Sequence, residues 1–265
     1  MLAIAVTTRA AAVAGTFYPG SAAELAATVD RLLDGVAVPD GPCPKALIVP
    51  HAGYVYSGPI AASAFARVRP HGARITRVVL VGPAHRVFVA GLVSPGATRL
   101  ATPLGEIAVD TAALAATGVP EHAAAHAREH SLEVELPFIQ RVAPDARIVP
   151  LAGTRGDAAE VGRVLEQLWG GPETLIVISS DLSHHLPYAQ GRAIDEATCA
   201  TIVAREPIVE GDRACGSIGI NGLTWIARKR GLRIELLDRR SSGDTAGPRD
   251  AVVGYAAFAI YEDAA

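Results

Sequence analysis

Among this chain's eight histidines and three cysteines, a few share a placement that suits metal or acid–base chemistry. His51 follows the run Ala46–Val49 within PHAGY. His85 follows Arg77–Val81 within GPAHR. Asp181, His184 and His185 follow Leu175–Ile178 within SSDLSHH. Each run is short, apolar and rich in β-branched residues, so each imidazole stands just past the end of a predicted strand. In open α/β sheets, ligands bind beyond the carboxyl ends of the strands. Imidazole is the commonest metal ligand and titrates near neutral pH. A single histidine after a strand is ordinarily a hydrogen-bonded loop residue, but three such deliveries to one edge point to a shared pocket. Gly53, Gly58 and Gly82 flank these positions, where glycine permits tight turns and close backbone approach. His71, His122 and His126 lie in polar or Ala-rich connections and read as structural.

Cys215 sits in the polar turn Asp212–Ser217, just before a predicted helix. Two readings stand. A thiol at a helix N-terminus beside Arg213 should have a lowered pKa. Equally, it could be a small buried apolar side chain, the reading that suits Cys199 within ATCATIV. Cys43, between two prolines, reads as an inert loop residue. Two imidazoles and one thiolate would suit iron, copper or zinc, and not magnesium or calcium. A blue-copper centre usually adds a methionine, and the only one here is Met1. Zinc or iron(II) held by three such groups would keep an open position. A second polar cluster comprises Glu129, His130, Glu133 and Glu135. Glu133 and Glu135 read as acidic residues favouring a helix N-terminus. His130 reads equally as a pocket wall or as part of that turn.

The elements that must position these groups alternate along the chain. Further apolar runs are Arg147–Leu151, Arg233–Leu237 and Ala251–Ile260. Helices are predicted over 21–34, 57–67, 131–142, 156–169, 188–205 and 217–229. Continuous apolar strands separated by amphipathic helices predict an α/β domain, a mostly parallel central sheet with helices on both faces, spanning 1–265 as one unit. The 265 residues are half apolar with a net charge of −3, and no basic run marks a nucleic-acid partner. Sparse, odd-numbered cysteines point to a reducing, cytoplasmic setting. The opening MLAIAVTTRA has no basic region ahead of its apolar stretch and makes a poor signal peptide. No apolar stretch is long enough to span a membrane. Serine-hydrolase elbows, dinucleotide fingerprints and P-loops are absent.

The segments AGTFYPGS, PHAGYVYSGP, GPAHR, EHSLEVELPF, SSDLSHH, ACGS and VVGYAA, in that order, resemble the Memo family. Its bacterial and archaeal members are called AmmeMemoRadiSam system protein B. The resemblance runs from about residue 9 to 260. It implies a fold similar to class III extradiol dioxygenases, which are non-haem iron enzymes. It also implies that His51, His85 and Cys215 are metal ligands and that His184 is an additional pocket histidine. Asp181 matches the nearby acidic residue and Phe17 the aromatic lining the pocket. Extradiol dioxygenases use two histidines and a carboxylate, so a thiol in the third position departs from them, and catechol cleavage does not follow from the fold. The segment Arg205–Arg213 is short beside the animal proteins, so the phosphotyrosine-peptide binding to which those members are linked is not carried over to this chain.

The expected cofactor is one metal ion, Fe(II) foremost, with copper or zinc as alternatives. His184 would serve as acid or base. Asp181 would orient it, or cap the turn after its strand. The expected partners are a small-molecule or peptide substrate and a radical-SAM protein. Three functions fit: a metal-dependent oxidoreductase, a non-catalytic accessory protein working with that partner, and a zinc hydrolase with metal-bound water as nucleophile.

Overall fold

Runs of Val, Ile and Leu without polar alternation are stable as strands only when both faces are covered. The computed structural model, which describes residues 6–208 and 213–262, buries them so. The first half of the chain forms β1 (Thr8–Arg9), α1 (Ala22–Asp34), β2 (Ala46–Val49), α2 (Tyr54–Val68), β3 (Arg77–Pro83), β4 (Arg99–Thr102), β5 (Gly105–Ala108), α3 (Thr111–Thr117) and α4 (Ala123–Ala127). The second half forms α5 (Leu136–Val142), β6 (Arg147–Gly153), α6 (Ala158–Gln167), β7 (Thr174–Ser179), β8 (His184–Leu186), α7 (Tyr188–Val203), α8 (Ser217–Arg230), β9 (Arg233–Ser241), α9 (Ser242–Thr245) and β10 (Val252–Tyr261).

The main sheet has the order β6-β3-β7-β2-β10-β8, with β9 paired to β10. Its first four strands are parallel, and β10 runs antiparallel to β2, β8 and β9. Every residue of β2 and β7 is buried. The register sets the site. Val49 lies level with Ser179, and Val81 with Ile178, so β2, β7 and β3 release the chain at one edge and at nearly one height. A smaller sheet, β1-β4-β5, carries the N-terminal segment.

Helices cover both faces of the sheet, as the sequence predicts. On one side α2 lies against β2, β9 and β10 and packs on α1 and α5. On the other α8 lies against β3 and β7 and pairs with α6. The helix α1 buries Leu25, Val29 and Leu33, an i, i+4, i+8 stripe, and is capped by Ser21 accepting from the Glu24 N–H. Each buried leucine or valine of this kind stabilises by about 1.5–3 kcal/mol.

Two helix boundaries differ from prediction for local reasons. The helix predicted over 57–67 begins at Tyr54, because the Tyr54 N–H is satisfied at 2.8 Å by the carbonyl of distant Phe17 and not by a local side chain. The helix predicted over 131–142 is a 3-10 turn at Glu133–Glu135 followed by α5, which starts beside Pro137. Proline is favoured at a helix start and lacks the N–H that a helix interior needs.

Candidate metal centre

Three imidazoles meet where the sheet releases the chain. One ring nitrogen from each of His51, His85 and His130 lies within 4.8 Å of the others. Ring centroids are 5.3 Å apart for His51–His85, 5.5 Å for His51–His130 and 4.7 Å for the stacked His85–His130 pair. No ion is needed to hold them there, because each is anchored through the backbone or its other nitrogen.

His51 is buried. Its backbone N–H donates to Asp181 Oδ1 at 2.8 Å, and its Nδ1 lies 2.7 Å from Ser179 Oγ at the end of β7. Burial, and then its close imidazole neighbours His85 and His130, hold its pKa well below the ordinary imidazole value. It is therefore neutral at physiological pH, the form that binds metals. Its Nε2 is 3.4 Å from Cys215 Sγ, within hydrogen-bonding reach of the thiol.

His85 is held by Glu129. Glu129 Oε2 accepts from the His85 N–H at 2.6 Å, and Oε1 lies 2.9 Å from His85 Nδ1. The same oxygen accepts from the backbone N–H groups of His130 and Ser131. Burial alone would raise the Glu129 pKa, yet the bonds from His85 and these amides hold it far below the carboxylate range. Glu129 is thus an anion that fixes the His85 ring with Nε2 outward, an arrangement common behind metal-binding histidines. His130 is held down to about pKa 4 by burial, only partly opposed by Glu129. Its loop packs tightly on β3. A Cβ at Gly82 would lie 2.9 Å from Ser131 and Leu132 side-chain atoms, so glycine permits the approach that brings His130 over His85.

Cys215 is delivered by α8. Its N–H donates to the Asp181 carbonyl at 3.2 Å, and the next N–H, of Gly216, donates to Ser180 Oγ at 2.9 Å. The lowered pKa considered from sequence is not found. Burial and the neighbouring Asp181 charge push the thiol upward and outweigh the hydrogen bonds to it. In the metal-free site Cys215 is a thiol, and a soft cation would have to displace its proton. Cys199 is buried inside α7, its pKa raised to about 12 by burial, as its apolar setting suggested.

Asp181 is buried, and burial raises its pKa to about 7 against the backbone hydrogen bonds of His51 and Ala52. It ties down the turn after β2, and no hydrogen bond between it and the His184 ring occurs among the described residues. His184 stands exposed on β8, close enough for its charge to be felt at His51. Phe17 packs against the His130 ring, centroids 4.8 Å apart. Its segment is clamped by Glu133, which accepts from the N–H groups of Ala12 and Val13, from the Tyr18 hydroxyl and from Arg9 in a buried ion pair. Glu133 and Glu135 are therefore not solvated helix-start acids. Both are buried inside the wall of the site.

The sequence matches the family model described as Memo-like protein over residues 9–259. The chain belongs to the Memo-like family. A MEMO1 family protein of Methanopyrus kandleri is 35% identical, the match covering 94% of this chain and 98% of that one. Those of Ignicoccus hospitalis and Aquifex aeolicus are 34% and 33% identical, covering 94% and 93% of this chain and 97% of each relative.

In this Memo-like chain the structure brings together His51, His85, Cys215, Phe17 and Asp181 and adds His130 to the imidazole cluster. The residues that sequence reasoning missed are Glu129, as the anchor of His85, and Ser179, as the partner of His51. The signal for both was their place beside a candidate ligand: Glu129 precedes His130, and Ser179 closes the β7 run. The imidazole cluster could hold a metal ion. No helix among the described residues is long and apolar enough to cross a membrane.

Proposed function

We propose that the protein is a metal-dependent oxidoreductase that binds one redox-active ion, iron(II) foremost, and acts on a small molecule in the pocket beyond the sheet edge. The observation that carries this reading is the pair of pre-oriented imidazoles. His51 and His85 are each held through Nδ1, by Ser179 and Glu129, and each has Nε2 left for an ion. The donor set fits such an ion. Imidazoles and a thiol form a borderline-soft group that suits iron, copper or zinc. His51 and His85 would bind it, with Cys215 or His130 completing the set. Iron would supply electron transfer and an open position for substrate.

The remaining residues act around that ion. Phe17, packed on the His130 ring, would shield that side of the ion from water. His184, exposed on β8, would move a proton at Nδ1 or Nε2 to or from bound substrate. Asp181 keeps the His51 turn in place.

The test is reconstitution under anaerobic conditions with Fe(II), Cu(II) and Zn(II), elemental analysis, and oxygen uptake across candidate substrates. Expected are about one ion per chain, lost in His51→Ala and His85→Ala, and oxygen uptake by the iron form alone. Wild type that retains no more iron than His51→Ala, or consumes oxygen no faster, would reject the reading. Retention of zinc alone, with hydrolysis in place of oxygen uptake, would replace it with a metal-dependent hydrolase.

A further inference from the structure

Beneath His51 lies a group that the metal site does not account for. Glu135 is wholly buried. Its Oε1 is 2.9 Å from Ser179 Oγ, and its Oε2 has no hydrogen-bond partner. Ser179 Oγ thus has three close polar neighbours: the Ser131 carbonyl at 2.7 Å, Glu135 Oε1 at 2.9 Å and His51 Nδ1 at 2.7 Å.

A hydroxyl carries one proton and two lone pairs. The carbonyl of Ser131 can only accept, so the Ser179 proton must point at it. A contact of this length without a proton between the atoms would set lone pair against lone pair. The other two neighbours must therefore both donate to Ser179. For His51 this requires hydrogen on Nδ1. For Glu135 it requires a protonated Oε1, a neutral carboxylic acid. The same conclusion follows independently from Oε2. On an ionised carboxylate this oxygen would carry buried negative charge with no donor, whereas the carbonyl oxygen of a neutral acid is far cheaper to leave unpaired. Burial and the nearby charge of Asp181 raise the Glu135 pKa, outweighing the bond to Ser179.

We infer that Glu135 is a positioning residue: as a proton-bearing acid it donates to Ser179 and, through that hydroxyl, locks His51 in the Nδ1–H tautomer with Nε2 unprotonated and turned toward Cys215. The imidazole tautomer is set by the hydrogen bond at its other nitrogen. His85 is oriented by an anion and His51 by a neutral acid, so the two rings face the ion with different basicity. The value of this device rests on His51 being a metal ligand, but the tautomer itself does not.

The experiment begins with the metal-free wild type. Difference infrared spectroscopy against Glu135→Gln should show a protonated carboxyl band that the variant lacks. Long-range proton–nitrogen NMR should show the His51 hydrogen on Nδ1. Glu135→Gln keeps a neutral donor and should retain both the tautomer and the affinity for Co(II). Glu135→Met keeps the volume without the donor and should mix the tautomers and weaken Co(II) binding about 10- to 100-fold, the range typical for losing an outer partner of a ligand. Absence of the carboxyl band, an Nε2–H tautomer in wild type, or Glu135→Gln binding Co(II) as poorly as Glu135→Met would overturn the inference. Failure of wild type to bind Co(II) would sink the metal-site reading, while the infrared and NMR results would still decide this one.

Discussion

A buried imidazole that stays neutral is ready for a cation, and its neutrality has a cost that depends on pH. Burial lowers the pKa of His126 and of His130 from 6.5 to about 4. Between these values the unfolded chain binds protons that the folded chain refuses, so stability rises with pH there and is lost as pH falls from about 6.5 to about 4. Asp181 works the other way. Raised from 3.8 to about 7, it makes the folded state the better proton binder across that span and flattens the slope. His126 lies outside the imidazole cluster, bonded at 2.9 Å to the Val93 carbonyl, so it offers a clean test. Urea denaturation of metal-free His126→Gln should show a shallower loss of stability between pH 6.5 and 4 than wild type. An unchanged slope would remove His126 from the account. At this scale His51 and His85 were legible because they stand next to unmistakable strands. Glu129, Glu133 and Glu135 were not, because acids shortly before a proline look like a solvated helix start. Only the tertiary packing of that turn under the sheet edge shows that all three are buried.

Elements bring the parts together at fixed heights, and α8 does so most delicately. Its first turn follows Gly216, where a Cβ would lie 2.4 Å from the Ser179 carbonyl and 2.6 Å from Ser180 Cβ. The glycine thus permits α8 to seat on the end of β7 with Cys215 at its tip. Gly216→Ala should lower stability by about 1–3 kcal/mol, the usual range for overpacking, and should weaken metal binding by moving the sulfur away from His51. Chemical denaturation and metal titration would check both, and a variant with wild-type values would show that the helix tip has room to move. The six strand runs and the α/β layering could be read from the sequence because fully buried strands leave an uninterrupted apolar signature. The small sheet β1-β4-β5 could not. Its strands are two to four residues long, too short to show a period, and their pairing depends on contacts distant in sequence. The direction of β10 was equally hidden, since an apolar run looks alike whichever way it points.

For the molecule as a whole, the proposed metal site is preformed, so an ion held there would bind the folded state and not the unfolded chain. Saturating the protein with Co(II) or Fe(II) at about 100-fold over Kd should stabilise it by about 2.7 kcal/mol. A melting temperature raised by several degrees in wild type and unmoved in His51→Ala or His85→Ala would show this, and equal shifts in all three would place the ion elsewhere. The strand β10 has a different consequence. Among the described residues it alone joins β8 to the sheet, pairing Val253 with His184 and Val252 with Leu186, and it follows every candidate ligand along the chain. On the ribosome, then, the imidazoles and the thiol are made before the strand that pairs with both β2 and β8 exists. A nascent chain can offer loose donors to passing ions, but the finished cage awaits the arrival of Val252–Tyr261.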